Sequence, residues 1–240
     1  MILAVETATS ACSAAVLAAD GALVAQRVED EGPAHAQRLL PFVHEVLGEA
    51  HLGLGDLEAV VCGLGPGAYT GMRIGVATAR ALAQAMGMRL GGVSTLAAVA
   101  RALAPDAEPG APLVGLLDGK RREVFAGVFR SAGPAPRWPL TEVVPVAVVA
   151  ADELPGFLEQ WPGAVVGGDG ALLYAERLPA GVSLAVHTAP PTAALVGRAW
   201  LARVPGAVEG FEAVLPVYGR APDAARWHAA APAATPEGRS

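Results

Sequence analysis

The stretch Gly63–Gly75, "GLGPGAYTGMRIG", places five glycines within thirteen residues. It follows the apolar run Leu57–Cys62, "LEAVVC", and it leads into "VATARALAQAMG". The apolar run predicts a buried strand over 58–63, and the alanine-rich segment predicts a helix over about 70–86. The stretch is therefore predicted to form a tight turn from a strand into a helix.

A glycine-rich turn of this kind invites comparison with nucleotide-binding loops. A P-loop needs a lysine after its last glycine, and here Gly71 is followed by Met72. A dinucleotide-binding fingerprint needs two residues between its second and third glycines, and this turn has three between Gly67 and Gly71. Two interpretations remain open: the turn offers free amides to an anion at the helix N-terminus, or its backbone packs closely against a neighbour.

The elements around this turn predict two lobes. The first half reads β-β-β-α-β-α-β, with a hairpin turn at Asp20-Gly21 and an amphipathic helix over 34–50. The segment "APDAEPGAP" at 104–112 is rich in proline, glycine and acidic residues, which is typical of a boundary. We therefore expect an N-terminal lobe at 1–103, a C-terminal lobe at 112–222 and a disordered tail at 223–240.

The second half repeats the opening pattern less regularly. Strands are predicted at 113–118 and 122–130, followed by an irregular proline-rich stretch and the strand "GAVVGG". Helical segments are predicted near 170–177 and 191–203. The second lobe is thus expected to begin with a hairpin and to continue into α/β units.

Composition limits the classes of function. The formal charge of −6 and the pI near 5.4 disfavour a protein that binds nucleic acid by itself, because phosphate neutralisation needs a clustered basic surface. Lys120 is the only lysine, so a mechanism that needs a lysine has one candidate. Cys12 and Cys62 are far apart and lack metal-binding spacing, which predicts reduced thiols in a cytoplasmic protein, and no stretch is long enough to span a membrane.

The string "GPGAYTGMRIG" closely resembles the G-P-G-S-F-T-G-L-R-I-G signature of the TsaB (YeaZ) family. Further matches follow in the family's order and together cover residues 1 to about 222: "VETATSACSAAV", "HAQRLLPFVHEVL", "GVSTLAAVA", "REVFAGVF", "GGDGALLY" and "LPVYGRA". The segment "LDGKRREVF" departs from the family's D-A-R-R-x-E-V-Y, which leaves the assignments around Asp118 open.

This resemblance implies an α/β fold of the actin-like ATPase type (ASKHA, ribonuclease H-like) with two lobes. It implies a non-catalytic dimerisation subunit in the biosynthesis of threonylcarbamoyladenosine next to the tRNA anticodon. The implied partners are a TsaD-type catalytic subunit and a TsaE-type ATPase, with a homodimer when the chain is alone and contact with tRNA only through the complex. Where the TsaD-type relative has an H-x-x-x-H metal pair, this chain has Ser94–Val99, so no metal site is expected.

Polar residues and glycines at two places match the parts of actin-like ATPases that meet a nucleotide. The first group follows the opening strand where such proteins place a phosphate-binding turn, and the second lies in the other lobe. The candidates are Glu6, Thr7, Thr9, Asp118, Gly167 and Gly168. Each has a plainer interpretation as a strand-end cap, a solvated turn carboxylate or a packing glycine. No cofactor is expected, although the arrangement is compatible with weak ATP or ADP binding.

The helix after the glycine turn is apolar or small on nearly every side, which predicts burial on more than one face. Together with the first helix it is expected to present one surface to the matching helices of the partner, unless the lobe itself covers both. The predicted partner-binding residues are Leu39, Leu40, Val43, Val46, Met72, Arg73, Val76, Ala79, Arg80 and Ala83.

Two other classes of function stay open on the residues alone. An independent small-molecule kinase of the same fold would need a general base and acidic metal ligands in both lobes, for which Glu6 and Asp118 are the candidates. A peptidase would need a Ser-His-Asp or H-E-x-x-H arrangement, and neither is legible.

Overall fold

The structure, a computed structural model, describes residues 1–30, 35–131 and 139–219. Its first sheet comprises β1 (Ile2–Glu6), β2 (Cys12–Leu17), β3 (Leu23–Glu29), β4 (Ala59–Gly63), β5 (Arg89–Val93) and β11 (Val208–Glu209). The strand order is β11-β5-β4-β1-β2-β3, in which β1, β4 and β5 run parallel and the other pairings are antiparallel. The hairpin predicted around Asp20-Gly21 joins β2 to β3 and is confirmed.

The second sheet begins with the predicted hairpin of the second half. Its strands are β6 (Pro112–Asp118), β7 (Glu123–Ser131), β8 (Leu140–Ala150), β9 (Val165–Gly167) and β10 (Ser183–Ala185), in the order β10-β9-β6-β7-β8. The interpretation of the proline-rich stretch as irregular is wrong for its second part, because β8 is an eleven-residue strand paired with β7. Pro145 is tolerated there since β8 lies at the edge of the sheet.

Within residues 1–30, 35–131 and 139–219, six α-helices cover the sheets on both sides. They are α1 (His35–Glu49), α2 (Tyr69–Met86), α3 (Thr95–Leu103), α4 (Leu154–Glu159), α5 (Asp169–Leu173) and α6 (Ala193–Leu201). The strand–turn–helix unit predicted from the opening stretch is confirmed as β4, the glycine turn and α2. Sequence reasoning missed α3 and α4, which are short and follow directly on other elements.

The alternation of side chains along β1 shows how the layers are arranged. Leu3 and Val5 point into a core shared with α1 and α2, and Ile2 and Ala4 point into a core shared with α3 and α6. On the second sheet, Leu113 and Leu117 of β6 face this same central core. The described residues therefore stack as helices, first sheet, α3 with α6, second sheet and helices, which is the layer order of the two-lobed actin-like ATPase fold.

The central helical layer corrects the predicted lobe boundaries. Although α6 and β11 belong to the segment assigned to a C-terminal lobe at 112–222, α6 packs on β1 and β2, and β11 pairs with β5. The glycine at position 197 lets α6 approach β2 closely, because a Cβ on Gly197 would lie 2.7 Å from the side chain of Leu17. The chain thus returns to complete the first lobe. The division at 104–112 separates the strands of the two sheets except for β11, and it does not separate their helices. The tail at 223–240 lies outside the described residues.

We expect residues 1–103, expressed as a separate fragment, not to fold cooperatively. The fragment would expose the face of β1 that α6 covers, including Ile2 and Ala4, and it would lack β11. Proton–nitrogen NMR spectra and thermal melting followed by circular dichroism measure this. A dispersed spectrum with a cooperative transition for 1–103 alone would contradict the assignment of α6 and β11 to the first lobe.

Candidate functional site

The carboxylate of Glu6 ends β1 and is almost completely buried. Its Oε1 accepts hydrogen bonds from the amides of Thr7 and Ala8 at 2.7 and 2.6 Å. Its Oε2 accepts one from the hydroxyl of Thr95 at 2.7 Å. The side chain that was a nucleotide-site candidate therefore ties its own turn to the first residue of α3.

The residues after Glu6 hold the glycine turn in the same way. The hydroxyl of Thr7 donates to the carbonyl of Gly71 at 2.8 Å, and the amide of Ala68 donates to the carbonyl of Ala8 at 2.6 Å. The amide of Thr95 donates to the carbonyl of Gly65 at 2.8 Å. The turn after β1, the glycine turn and the start of α3 thus form one hydrogen-bonded cluster, which we call the Glu6 cluster.

Glycine is required in the Glu6 cluster because other chain segments occupy the space of a side chain. A Cβ on Gly63 would lie 2.0 Å from Oε2 of Glu6, and one on Gly67 would lie 2.0 Å from the carbonyl oxygen of Ala8. A Cβ on Gly71 would lie 2.1 Å from the carbonyl oxygen of Thr7. Of the two interpretations that the sequence left open, the structure shows close backbone packing.

The third polar candidate of this turn, Thr9, also has internal partners. Its hydroxyl accepts a hydrogen bond from the amide of Ala11 at 3.3 Å, and its carbonyl lies 2.9 Å from Nε2 of His35. Both contacts fix the course of the chain between β1 and β2. The polar groups of Glu6, Thr7 and Thr9 therefore serve the turn itself, and nucleotide binding at them stays a prediction.

Burial raises the pKa of Glu6, and the hydrogen bonds from Ala8, Thr95 and Thr7 act in the opposite direction. The negative charge of Asp169 also raises the pKa of Glu6, because the two carboxyl groups lie within electrostatic range of each other. An ionised Glu6 suits the three donors that point at it, since each is satisfied by a carboxylate oxygen.

Asp118, the carboxylate candidate on the second lobe, is the last residue of β6, and a residue of the following hairpin turn donates hydrogen bonds to it. Lys120 donates to it twice, from Nζ to Oδ2 at 2.7 Å and from its amide to Oδ1 at 2.8 Å. The amide of Asp118 in turn donates to Oδ1 of Asp169 at 3.3 Å. Sequence reasoning missed Asp169, for which the "GGDG" string within the family resemblance was the available signal.

Burial, together with the negative charge of Asp118, raises the pKa of Asp169 to about 6. Hydrogen bonds from the amides of Asp118 and Gly170 partly offset this effect. Asp169 begins α5 and lies within electrostatic range of Glu6. Burial thus raises the pKa of two neighbouring carboxyl groups, those of Glu6 and Asp169.

Gly167 and Gly168 connect β9 to α5 in close contact with neighbouring segments. A Cβ on Gly167 would lie 2.1 Å from the hydroxyl oxygen of Thr188, and one on Gly168 would lie 2.2 Å from the carbonyl oxygen of Leu116. The amide of Gly168 donates to that same hydroxyl at 2.9 Å. These contacts account for both glycines through packing, and nucleotide binding at them stays a prediction.

The segment where the TsaD-type relatives are expected to have metal ligands has a structural role here. Ser94 caps α3 by accepting the amide of Ala97 at 3.4 Å, and Thr95 belongs to the Glu6 cluster. Among residues 1–30, 35–131 and 139–219, no three His, Cys, Asp or Glu side chains lie together as a metal site would need.

The predicted partner-binding residues divide by exposure. Seven are buried in the core or against it: Leu39, Val43, Val46, Met72, Val76, Ala79 and Ala83. These side chains have almost no exposed area, since α1 and α2 direct most of them toward their own sheet, and partner binding at them stays a prediction. Arg80 donates to the carbonyls of Phe211 and Val214, which anchors the C-terminal segment on α2. Leu40, 53% exposed, and Arg73 remain at the surface.

The outer side of α1 and α2 contains residues that sequence reasoning did not select. Tyr69 is 58% exposed, stacks on Tyr218 with ring centroids 5.2 Å apart, and has the guanidinium of Arg73 over its ring. Ala77 follows one turn after Arg73 on the same side and is also exposed. We call the exposed residues Leu40 of α1 and Tyr69, Arg73 and Ala77 of α2 the outer helical face. The four-residue spacing of the last three was the signal available in the sequence.

No helix in the described part of the chain combines the length and apolar character that a membrane crossing needs.

Comparisons with known proteins find one family model and several relatives. Residues 29–137 match the TsaD family, tRNA N6-adenosine threonylcarbamoyltransferase. The chain is 31% identical to YeaZ from Pseudomonas aeruginosa, whose solved structure matches with a TM-score of 0.68 over 90% of this chain and 98% of that chain. It is also 35% identical over 209 residues to an uncharacterized protein of Mycobacterium tuberculosis. That alignment covers 81% of this chain and 89% of the M. tuberculosis protein.

The tRNA threonylcarbamoyladenosine biosynthesis protein TsaB of Escherichia coli is 43% identical over 100 residues. That alignment spans 42% of this chain and 42% of the length of the E. coli protein.

Replacing Gly67 by alanine is expected to lower the free energy of unfolding by at least about 2 kcal/mol, because the new Cβ collides with backbone rather than with a movable side chain. Gly48, inside α1, is the matched control, since a Cβ there meets nothing within 4 Å. Gly48→Ala should stabilise by about 0.5–1 kcal/mol through helix propensity. Urea unfolding measures both, and equal stability of Gly67→Ala and the wild type would contradict the packing of the Glu6 cluster.

Replacing Asp169 by asparagine is expected to change the dependence of stability on pH. The folded pKa of about 6 exceeds the unfolded value, so the folded state binds the proton more tightly and stability falls as the pH rises from about 4 to about 6. Asparagine keeps an oxygen for the two amides without the charge. The variant should therefore lack this fall and gain at most about 3 kcal/mol at pH 8.

Urea unfolding at several pH values tests this, with the exposed Glu176→Gln as the control for a general change of charge. Parallel pH curves for Asp169→Asn and the wild type would show that the Asp169 carboxyl is not perturbed as described.

Proposed function

The chain belongs to the TsaB (YeaZ) family, and on that premise we propose that it is the non-catalytic scaffold subunit of a tRNA threonylcarbamoyladenosine-modifying complex. Its relatives in Escherichia coli, Haemophilus influenzae and Bacillus subtilis are named for the biosynthesis of this modified nucleoside. The chain accordingly takes part in the same pathway. The finer assignments rest on contacts within this structure.

The observation that carries the proposal is the occupation of the catalytic positions by structural contacts. Glu6 and Thr7 hold the glycine turn, Ser94 and Thr95 begin α3, and Lys120 holds Asp118. A group that is committed to three buried hydrogen bonds is poorly suited to bind and release a substrate phosphate. We therefore assign catalysis to a TsaD-type partner and no cofactor to this chain, with ATP or ADP binding in the cleft at most weak.

The outer helical face is the proposed docking surface for that partner. It presents exposed apolar groups, Leu40 and Tyr69, beside the small residue Ala77, which permits close approach of another helix. The match to the TsaD family, residues 29–137, includes both α1 and α2. A TsaD-type subunit therefore has a corresponding helix pair, and an interface through these pairs joins like surfaces around a pseudo-twofold axis.

The remaining partners are part of the same proposal. Two copies of this chain can pair through the outer helical face, so we propose a homodimer in isolation that the TsaD-type subunit replaces. A TsaE-type ATPase then binds the assembled pair. With a net charge of −6, the chain contacts tRNA only through the complex, and we place the complex in the cytoplasm.

The independent small-molecule kinase is the alternative. Two contacts weigh against it: the Glu6 cluster fills the turn that would hold phosphate, and Lys120 neutralises the candidate metal ligand Asp118. An assay of ATP turnover with sugars and acids as acceptors separates the two functions.

Light scattering of the purified chain with its TsaD-type partner is expected to show a stable heterodimer, and Leu40→Asp is expected to weaken it by at least about tenfold. An aspartate at Leu40 would be desolvated without a partner in the proposed contact. Leu173→Asp is the matched control, since Leu173 is 57% exposed on α5, in the outermost layer of the second lobe. A folded Leu40→Asp variant that binds as tightly as the wild type would exclude the outer helical face.

A further inference from the structure

The surface around the start of α2 combines exposed aromatic groups with a charged one. Tyr69 and Tyr218 stack with their ring centroids 5.2 Å apart, and both side chains remain substantially exposed. The guanidinium carbon of Arg73 lies 5.2 Å from the centroid of the Tyr69 ring. Leu215, close to Tyr218 in sequence, is 54% exposed. The outer helical face therefore continues onto residues 215–218, which we call the C-terminal strap.

The C-terminal strap is fixed to the first lobe by its backbone. The amide of Val217 donates to the carbonyl of Leu64 at 2.7 Å, beside the glycine turn. Immediately before the strap, the carbonyl of Val214 accepts a hydrogen bond from Arg80 of α2 at 3.0 Å. A surface that is already ordered loses little conformational freedom when another protein covers it. The strap therefore presents its exposed apolar groups in a form suited to binding.

Arg73 contributes a positive charge to this surface, and its side chain is exposed. Its Nη1 donates to the hydroxyl oxygen of Tyr69, a neutral acceptor, and the ring beneath it is also uncharged. Within residues 1–30, 35–131 and 139–219, no carboxylate lies at ion-pair distance from its guanidinium. Tyrosine and arginine are the residue types that most often dominate the energy of protein interfaces, and an arginine fork binds a carboxylate through two parallel hydrogen bonds.

The outer helical face alone is smaller than a stable interface requires. An interface of ordinary size buries about 800 Å² on each partner and includes about 20 to 30 residues a side. The stack of Tyr69 on Tyr218 joins the outer helical face to the exposed apolar groups of the strap. A partner that covers both would also cover Arg73, whose charge then needs a counter-charge from that partner.

A second copy of this chain does not offer that counter-charge from the same surface. A twofold homodimer places like surfaces against each other, and neither the outer helical face nor the C-terminal strap contains an aspartate or glutamate. Glu212, which precedes the strap, adjoins Phe211, and the Phe211 ring contacts Arg80, two helical turns beyond Arg73. A subunit with a different sequence on the matching surface is therefore the better partner for Arg73.

We propose that Arg73 is the specificity-determining contact of this surface and that it pairs with a carboxylate side chain of the TsaD-type subunit. Tyr69, Tyr218 and Leu215 supply the apolar contacts around that pair. The inference rests on the proposed function, because it takes the outer helical face as the place where that subunit binds. The pair stabilises the heterodimer and has no counterpart in the homodimer, so it favours replacement of a second copy by the TsaD-type subunit.

Two affinities of the full chain test this proposal: calorimetric titration with the TsaD-type partner, and sedimentation equilibrium of the chain alone. Arg73→Gln is expected to weaken the heterodimer by about tenfold or more, as loss of a charged bidentate contact does. It should leave self-association at least as strong as in the wild type. Arg73→Lys, which keeps the charge without the fork, should give an intermediate heterodimer affinity. Added salt should weaken the wild-type heterodimer more than that of Arg73→Gln.

Arg130→Gln is the matched control for loss of an exposed arginine. Arg130 lies on β7 of the second sheet and also donates to a neutral acceptor, the carbonyl of Gly110. It should bind the partner as the wild type does, and thermal melting checks that each variant is folded.

The outcomes separate this inference from the proposed function. Equal heterodimer affinity of the wild type and folded Arg73→Gln, with a loss of affinity in Leu40→Asp, would overturn the carboxylate contact and leave the docking surface in place. Equal weakening of heterodimer and homodimer by Arg73→Gln would overturn its role in specificity. Failure of the wild-type chain to bind the TsaD-type partner would overturn both the inference and the proposed function.

Discussion

The buried carboxylate of Glu6 is the interaction on which the rest of this structure depends. It joins three segments that are far apart in sequence: the turn after β1, the glycine turn through Gly63, and the start of α3 through Thr95. A buried carboxylate is tolerated only when donors surround it, and here two backbone amides and a hydroxyl do so. Removing it would leave those donors unsatisfied in the interior of the first lobe.

This constraint connects the fold to the function that we propose. Because the Glu6 cluster brings the glycine turn into contact with Thr7 and Ala8, the position that resembles a phosphate site is filled by the chain itself. The same contacts fix where α2 begins and α3 starts, and so they orient the outer helical face and the central helical layer. A phosphate-like position that the chain itself occupies suits the proposed subunit, which holds a catalytic partner in position.

The sequence predicted those features that are encoded within short segments. The apolar run predicted β4, the five glycines predicted the turn, and the alanine-rich segment predicted α2. Each prediction succeeded because its pattern is local. The placement of α6 and β11 on the first sheet was missed, since both pairings are far apart in sequence: α6 packs on β1, more than 180 residues earlier, and β11 pairs with β5, more than 110 residues earlier. The strand β8 was missed because Pro145 reads as a breaker, although an edge strand accommodates it.

The surface of α2 was predicted only in part, because a helix rich in alanine and glycine has no marked apolar stripe. Val76 and Ala79 face the sheet, and the exposed side is defined instead by Tyr69 and Arg73. The packing of α1 and α2 therefore identifies the outer helical face, which the composition of these helices did not predict.

Reconstituted threonylcarbamoyl transfer to tRNA tests the central claim most directly. We predict no transfer by this chain alone, and transfer by the TsaD-type partner that depends on adding this chain in equal amount. Transfer by this chain alone, or full activity of the partner without it, would contradict its assignment as a non-catalytic scaffold.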